Sequence, residues 1–523
     1  MIKESVKKPN SIIKSSSYFG LTTLVSRLTG FLRDVLFASY FGAGASTDAF
    51  FVAFKIPNFF RRLFAEGSFT QAFIPVLQEY KVNKNDQLYE FVQNIFGNLF
   101  IVLFIITGLG MYFSEELIYL FAPGFTNDQE KLSLASQMLY VTFPYLLFIS
   151  LTAMCSGIFN SYNRFILSGI TPVFLNLSLI VFTIFSSSLF VVPIVSLSYG
   201  VLVAGAVQLL IQLPLMYKLG FLNIPKVNLY NNGSVKVIRL MIPAIIGAAA
   251  VQINLLIDTI VASLLITGSI SWLYFSDRLI ELPLAIFGIA ISIVILPVLS
   301  EYFQKKEIDA YSNTLDKSIK LAFLVAIPSM IGLIILSAPI VTSLFMYGSF
   351  DYYDMSMTAL SLITYSLGLP AFIFMKILVT AFYSRQDTKT PVIYSLYGIS
   401  LNILANITVL YLYLNSPFDS AHALVALATS LSAWVQVILM SYKLKKLSIL
   451  KSNIFCDMVS FKIIISSVIM ALILFFYLNP SEVTDELTAY MRISYLIFYI
   501  VIGAVVYYAS LRLLGLKLRN FKL

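Results

Sequence analysis

Residues 26–80, SRLTGFLRDVLFASYFGAGASTDAFFVAFKIPNFFRRLFAEGSFTQAFIPVLQEY, decide the fold. The stretch reads as two largely apolar helices, yet it carries Arg27, Arg33, Asp34, Asp48, Lys55, Arg61, Arg62 and Glu66. Placing one Arg or Lys at the centre of a bilayer costs at least roughly 2.5–3.5 kcal/mol, so charges at that depth face a bundle interior or a watery cavity. Cations outnumber acids among these residues, whereas the other apolar segments carry little charge. The pattern predicts a cationic pocket inside a membrane protein, suited to an anion.

Working outward, the chain has 523 residues, 59% of them hydrophobic and 12% charged, with a mean hydropathy of +0.87. Apolar runs long enough to cross a bilayer recur throughout, which predicts an all-α polytopic membrane protein. A transmembrane β-barrel would show short alternating segments instead of continuous runs. The net charge of +9 does not point to nucleic acid, because the basic residues sit between apolar runs, where membrane topology puts them. Cys155 and Cys456 fall in or beside apolar segments without partner spacing, so neither a disulfide framework nor a metal cluster is expected. His422, the one histidine, reads as structural. The first long apolar run carries two arginines and is not expected to be a cleavable signal.

About fourteen spans are expected, near 17–41, 46–77, 89–113, 132–160, 165–187, 190–217, 237–264, 270–301, 318–340, 355–383, 390–414, 420–442, 458–478 and 490–512. Pro57 and Pro283 should bend the second and eighth, since proline removes a backbone donor. Alternate loops are basic, as at Lys81 and Lys84, at Lys305 and Lys306, and at Lys443, Lys445 and Lys446. The intervening loops hold only Lys131 and Arg492, and several are acidic. The positive-inside rule therefore puts both termini in the cytoplasm.

An internal repeat supports an even number of spans per half. IPVLQEY at 74–80 recurs as LPVLSEY at 296–302, an offset of 222 residues. Tyr162-x-Arg164 followed by Thr171-Pro172 recurs as Tyr383-x-Arg385 followed by Thr390-Pro391. Two six-helix lobes in the same orientation, flanking a central cavity, are the expected arrangement. The lobes would occupy residues 1–218 and 219–450, with two added helices in 451–523.

In the first helix Ser26 and Arg33 share a face, and Gly30 between the arginines leaves room for a ligand or a neighbouring helix. Arginine suits phosphate because its planar fork donates two parallel hydrogen bonds and never deprotonates. The alternative is that these arginines only pair with Asp34, Asp48 and Glu66. The matching region of the second half has one cation, Arg278, between Asp277 and Glu281. Asp258 lies alone in an apolar run and is either protonated, paired with Lys376, or bound to a small cation. Asn402 and Asn406 share a face, and Thr429 could join them around a hard cation or pack helices together. No phosphate-cradling Gly-Lys loop is present, which argues against direct ATP use.

The stretch from Ser26 to Tyr80, together with WLYFSDRLIELP at 272–283, closely resembles the MurJ (MviN) family of lipid II flippases. That family belongs to the multidrug/oligosaccharidyl-lipid/polysaccharide exporter superfamily. The resemblance implies a transporter, not an enzyme, that moves undecaprenyl-diphosphate-linked peptidoglycan precursor across the bacterial cytoplasmic membrane by alternating access. It implies a lipid-tail groove formed by the last two helices. Among site residues it implies substrate contacts at Arg27, Arg33 and Arg278, with further polar positions at Ser26, Asp48, Arg61 and Glu66. Arg62, beside Arg61, is either equivalent or structural. Some relatives hold sodium in the second lobe, and Asp258, Asn402, Asn406, Val425 (through its carbonyl) and Thr429 fall at comparable places. Asn406 stands where that pattern has an acid, which weakens the charge of such a site. Expected partners are lipid II, membrane lipids and cell-wall synthesis proteins, with the chain as a monomer. The rival expectations are a flippase for another polyprenyl-diphosphate glycan and a multidrug exporter of the same superfamily.

Overall fold

The structure, a computed structural model, describes residues 9–63, 69–162, 164–222, 225–450, 457–476 and 487–516. The regular elements among the described residues are all helices, without a strand. In order they form α1 (Pro9–Phe41), α2 (Ala45–Arg61), α3 (Thr70–Asn83), α4 (Leu88–Tyr112), α5 (Ser114–Phe121), α6 (Gln129–Thr142) and α7 (Tyr145–Ser161). Then follow α8 (Phe165–Val181), α9 (Val195–Leu210), α10 (Leu213–Lys218), α11 (Asn232–Ser263), α12 (Ser269–Pro283), α13 (Ala290–Gln304) and α14 (Ile308–Ile335). The last group is α15 (Ser337–Leu344), α16 (Tyr352–Ser366), α17 (Leu369–Tyr383), α18 (Lys389–Asn415), α19 (Ala421–Lys446), α20 (Met458–Phe476) and α21 (Ala489–Leu513).

The described residues of the expected segments are mostly helical, but fourteen spans are not reached. By length and composition ten helices among the described residues can cross a membrane, and the pair α16–α17, bent by 41°, makes an eleventh. The other three segments differ for identifiable reasons. The first, in α1, carries Arg27, Arg33 and Asp34. The second divides into α2 and α3 on either side of residues 64–68, which lie outside the described residues. The seventh lies in α11, of which Gln252–Ser263 is an apolar helix among the described residues. Pro57 lies inside α2, and Pro283 closes α12 where a π-helical turn, Leu284–Ile289, leads into α13. A wide turn of this kind absorbs the missing proline donor without ending the span.

The chain divides into two compact units, Met1–Ile260 and Val261–Leu523. In the first, α1 packs on α8 and α2 on α6 and α7. Its inner core stacks Phe69 on Phe73, 5.0 Å between centroids, and Tyr80 on Phe91, 4.3 Å. The segment after α10 crosses α4 closely. The Asn98 side chain donates to the Asn228 carbonyl (2.8 Å) and accepts from the Asn228 amide (2.9 Å), and a Cβ at Gly97 would stand 2.2 Å from the Lys226 carbonyl oxygen.

In the second unit α18 packs on α19, α12 on α16, and α14 on α17 and α20. The final hairpin, α20 and α21, is fastened at both ends. At one end Lys320 pairs with Asp457 at 2.5 Å, and the Tyr507 hydroxyl donates to the Leu324 carbonyl at 2.6 Å. At the other, the buried Arg492 donates to the carbonyls of Leu487 (2.9 Å) and Met346 (2.8 Å) just beyond α15. A cation at a helix C-terminus meets carbonyls that have no intrahelical partner.

The matched helix position of the repeat meets a different partner in each unit. Lys81 on α3 lies 4.2 Å from the Tyr162 ring centroid just after α7, whereas Arg385 just after α17 lies 5.6 Å from the ring of Phe303 on α13. Position 303 matches position 81 at the repeat offset, and Arg385 matches Arg164.

Candidate functional site

Arg33 is buried and turned onto its own helix and onto α8. Its Nε and one terminal nitrogen donate to Asp34 Oδ1 at 2.9 and 2.6 Å, and its other terminal nitrogen donates to Asn176 Oδ1 at 3.0 Å. The Asn176 amide in turn donates to the Ser26 carbonyl (2.9 Å) and to the Thr29 hydroxyl (3.2 Å). Gly30 makes this contact possible, because a Cβ there would sit 3.3 Å from Asn176 Nδ2. The room at Gly30 is therefore taken by α8. Arg27, six residues earlier, is exposed and makes no hydrogen bond among the described residues.

Asp48, in the first turn of α2, is buried with Lys131 of α6 as its partner at 3.0 Å, both side chains under a tenth exposed. Lys131 also stands 4.4 Å from the Phe125 ring, and its amide is capped by Asp128 at 3.0 Å. A buried pair of this kind costs desolvation and is most costly when only one member is removed. At the other end of α2, Arg61 Nε donates to Asn58 Oδ1 at 3.1 Å, and Arg62 is exposed. Glu66 lies outside the described residues. Between them the half-buried Lys55 donates to the Thr259 hydroxyl of α11.

In the second unit Arg278 donates to Glu281 at 2.8 Å, and its guanidinium carbon lies 4.9 Å from the Tyr274 ring centroid. Asn402 and Asn406 are fully buried and linked, Asn406 donating to Asn402 Oδ1 at 2.7 Å. Asn402 donates to the Thr429 hydroxyl at 3.1 Å, and that hydroxyl donates to the Val425 carbonyl at 3.4 Å. These four residues thus form one chain of hydrogen bonds between α18 and α19. Asp258 belongs to the first unit and is buried there. His422 is buried with its ring nitrogens 3.0 Å from the Asp419 and Met357 carbonyls, a packing role.

Sequence reasoning missed three partners. Lys131 reads as a loop cation because it stands near a helix start. Its signal is Asp128 three residues earlier, a capping pattern that puts residue 131 on a helix. Asn176 is a lone amide in an apolar run, and Lys55 was a cation without a role.

The chain was compared with known proteins. The sequence profile of the family described as "Lipid II flippase MurJ" matches residues 37–498. A protein of Buchnera aphidicola subsp. Acyrthosiphon pisum (strain APS), named "Probable lipid II flippase MurJ", is 41% identical over 514 residues, 98% of this chain and 99% of its own length. A solved structure titled "Lipid II flippase MurJ, inward closed conformation" superposes with a TM-score of 0.80 at 28% identity, covering 94% of this chain and 97% of its own. An inward-facing multidrug resistance MATE family transporter of the MOP superfamily shares the fold, with a TM-score of 0.65 at 14% identity over 81% of this chain and 95% of its own.

Proposed function

The chain belongs to the lipid II flippase MurJ family, and on that premise we propose that it carries lipid II across the bacterial inner membrane for peptidoglycan synthesis. It is a multi-pass membrane transporter and not an enzyme. The observation that carries the reading is identity at 41% spread over 98% of this chain and 99% of the relative. The chemistry of the first unit supports it. A diphosphate cannot enter hydrocarbon unaided, so fixed cations must receive it while the prenyl chain stays in lipid.

The arginines divide the task. Arg27, exposed, offers its fork for the first contact with the diphosphate. Arg33 is already bonded to Asp34 and Asn176 and joins only by exchanging those partners. Arg278 must likewise exchange Glu281. Because guanidinium does not titrate near neutrality, release requires the acids to recapture the arginines as the protein changes its access state. The Lys131 ammonium holds Asp48 out of that competition. In this reading both termini face the cytoplasm, the functional form is a monomer, and cell-wall synthesis proteins are its neighbours.

The test is complementation. Cells depleted of their own lipid II flippase should regain growth and shape when this chain is expressed. Failure to restore growth, with the protein shown to be in the membrane, would reject the assignment.

A further inference from the structure

The structure assigns Lys55 as the built-in counter-cation of Asp258, in the place where the family resemblance points to a sodium ion. Asp258 is 7% exposed and its neighbour Thr259 4%. The Thr259 hydroxyl spends its proton on the Leu255 carbonyl, 2.8 Å away, so a lone pair is what it presents to the Lys55 ammonium. That fixes the position of the ammonium against α11, one residue from the carboxylate. Adjacent helix positions are separated by about 100° and 1.5 Å of rise. An ammonium with three rotatable donors, bonded to one of them, is within electrostatic reach of the other. A buried carboxylate needs a compensating charge, and a cation tethered to the same unit is present at all times, whereas sodium must be recruited from solution.

The remaining donors point the same way. Asn402 Oδ1 already accepts from Asn406, and the Thr429 hydroxyl accepts from Asn402 and donates to Val425. With Asn at 406 these oxygens are all neutral and bring no charge of their own to draw a cation out of water. These residues therefore fit helix packing better than sodium. Lys55 also connects α2, which carries Asp48 and Arg61, to α11, so the charge balance of Asp258 is tied to the arginine-bearing region. The inference does not depend on which lipid is carried.

The experiment is a double-mutant cycle read as melting temperature of the purified full chain, in sodium chloride and in choline chloride at equal ionic strength. Wild type should melt at the same temperature in both. Lys55→Gln should melt several degrees lower in choline and be raised selectively by sodium, which then takes the place of the lost ammonium. Lys55→Arg should remain indifferent to sodium. The double variant Lys55→Gln with Asp258→Asn should melt higher than the sum of the single losses allows and should not respond to sodium. Selective stabilisation of wild type by sodium would overturn the assignment, as would strict additivity of the two substitutions. If Lys55→Gln alone cannot be purified, recovery of protein in the double variant supports the pairing, and no recovery overturns it.

Discussion

At the scale of single residues, the positions that matter are defined as much by what they hold as by what they are. Arg27→Ala and Arg278→Ala should leave the protein in the membrane and abolish or strongly reduce complementation. Lysine at either position should rescue in part, because charge survives and the bidentate fork does not. The Asp48–Lys131 pair should behave differently. Replacing Lys131 alone by Met leaves a buried carboxylate without its ammonium and should cost about 3–5 kcal/mol, seen as a lowered melting temperature. Replacing both, Asp48→Leu with Lys131→Met, should recover most of that loss. The candidate site was legible in the residue types, since arginines at membrane depth admit few explanations. Its pairings were not. Whether Arg33 faces Asp34, Asn176 or a ligand depends on how closely α8 approaches Gly30, and no local pattern encodes a distance between segments about 150 residues apart.

At the scale of elements, continuous apolar runs fixed the helices and their order well, because lipid on the outside and packing on the inside both demand them. Breaks within them were less legible. The 41° bend between α16 and α17 falls at Leu367 and Gly368, with Pro370 in the first turn of α17, and the π-helical turn after Pro283 keeps its span unbroken. Close crossings were not legible at all. Gly97 is one, with the Lys226 carbonyl 2.2 Å from where a Cβ would stand. Gly97→Ala must displace backbone from α4 and should destabilise by roughly 1–3 kcal/mol in thermal or denaturant unfolding. Asn98→Ala should loosen the same crossing and be seen as faster amide exchange at Asn228, whose N–H it now binds.

For the whole molecule, orientation is the first thing to establish. With Cys155 and Cys456 replaced by Ala, a cysteine at the exposed Asn127 should react with an impermeant thiol reagent added outside intact cells. One at the exposed Asp309 should react only after permeabilisation, and the reverse pattern would invert the topology. The fastening of the last hairpin has a pH signature. The Lys320 ammonium, bonded to Asp457, holds that carboxyl below its usual 3.8. Its contribution should be complete above that value and be lost as pH falls through the lower folded value, so Asp457→Asn should flatten the acid limb of the melting profile. The different partners at the repeat junction bear on inheritance. If the halves arose by duplication, one helix position, 81 in the first half and 303 in the second, has since taken different partners, Tyr162 and Arg385, which are not matched to each other in the repeat. Gene conversion between the halves at that helix would put Phe against Tyr162 in one copy and Lys against Arg385 in the other. The first exchange sets ring against ring and is tolerable; the second sets cation against cation. Recombination in one direction is thus penalised more than in the other, which is one physical reason two such halves, once diverged, do not drift back into identity.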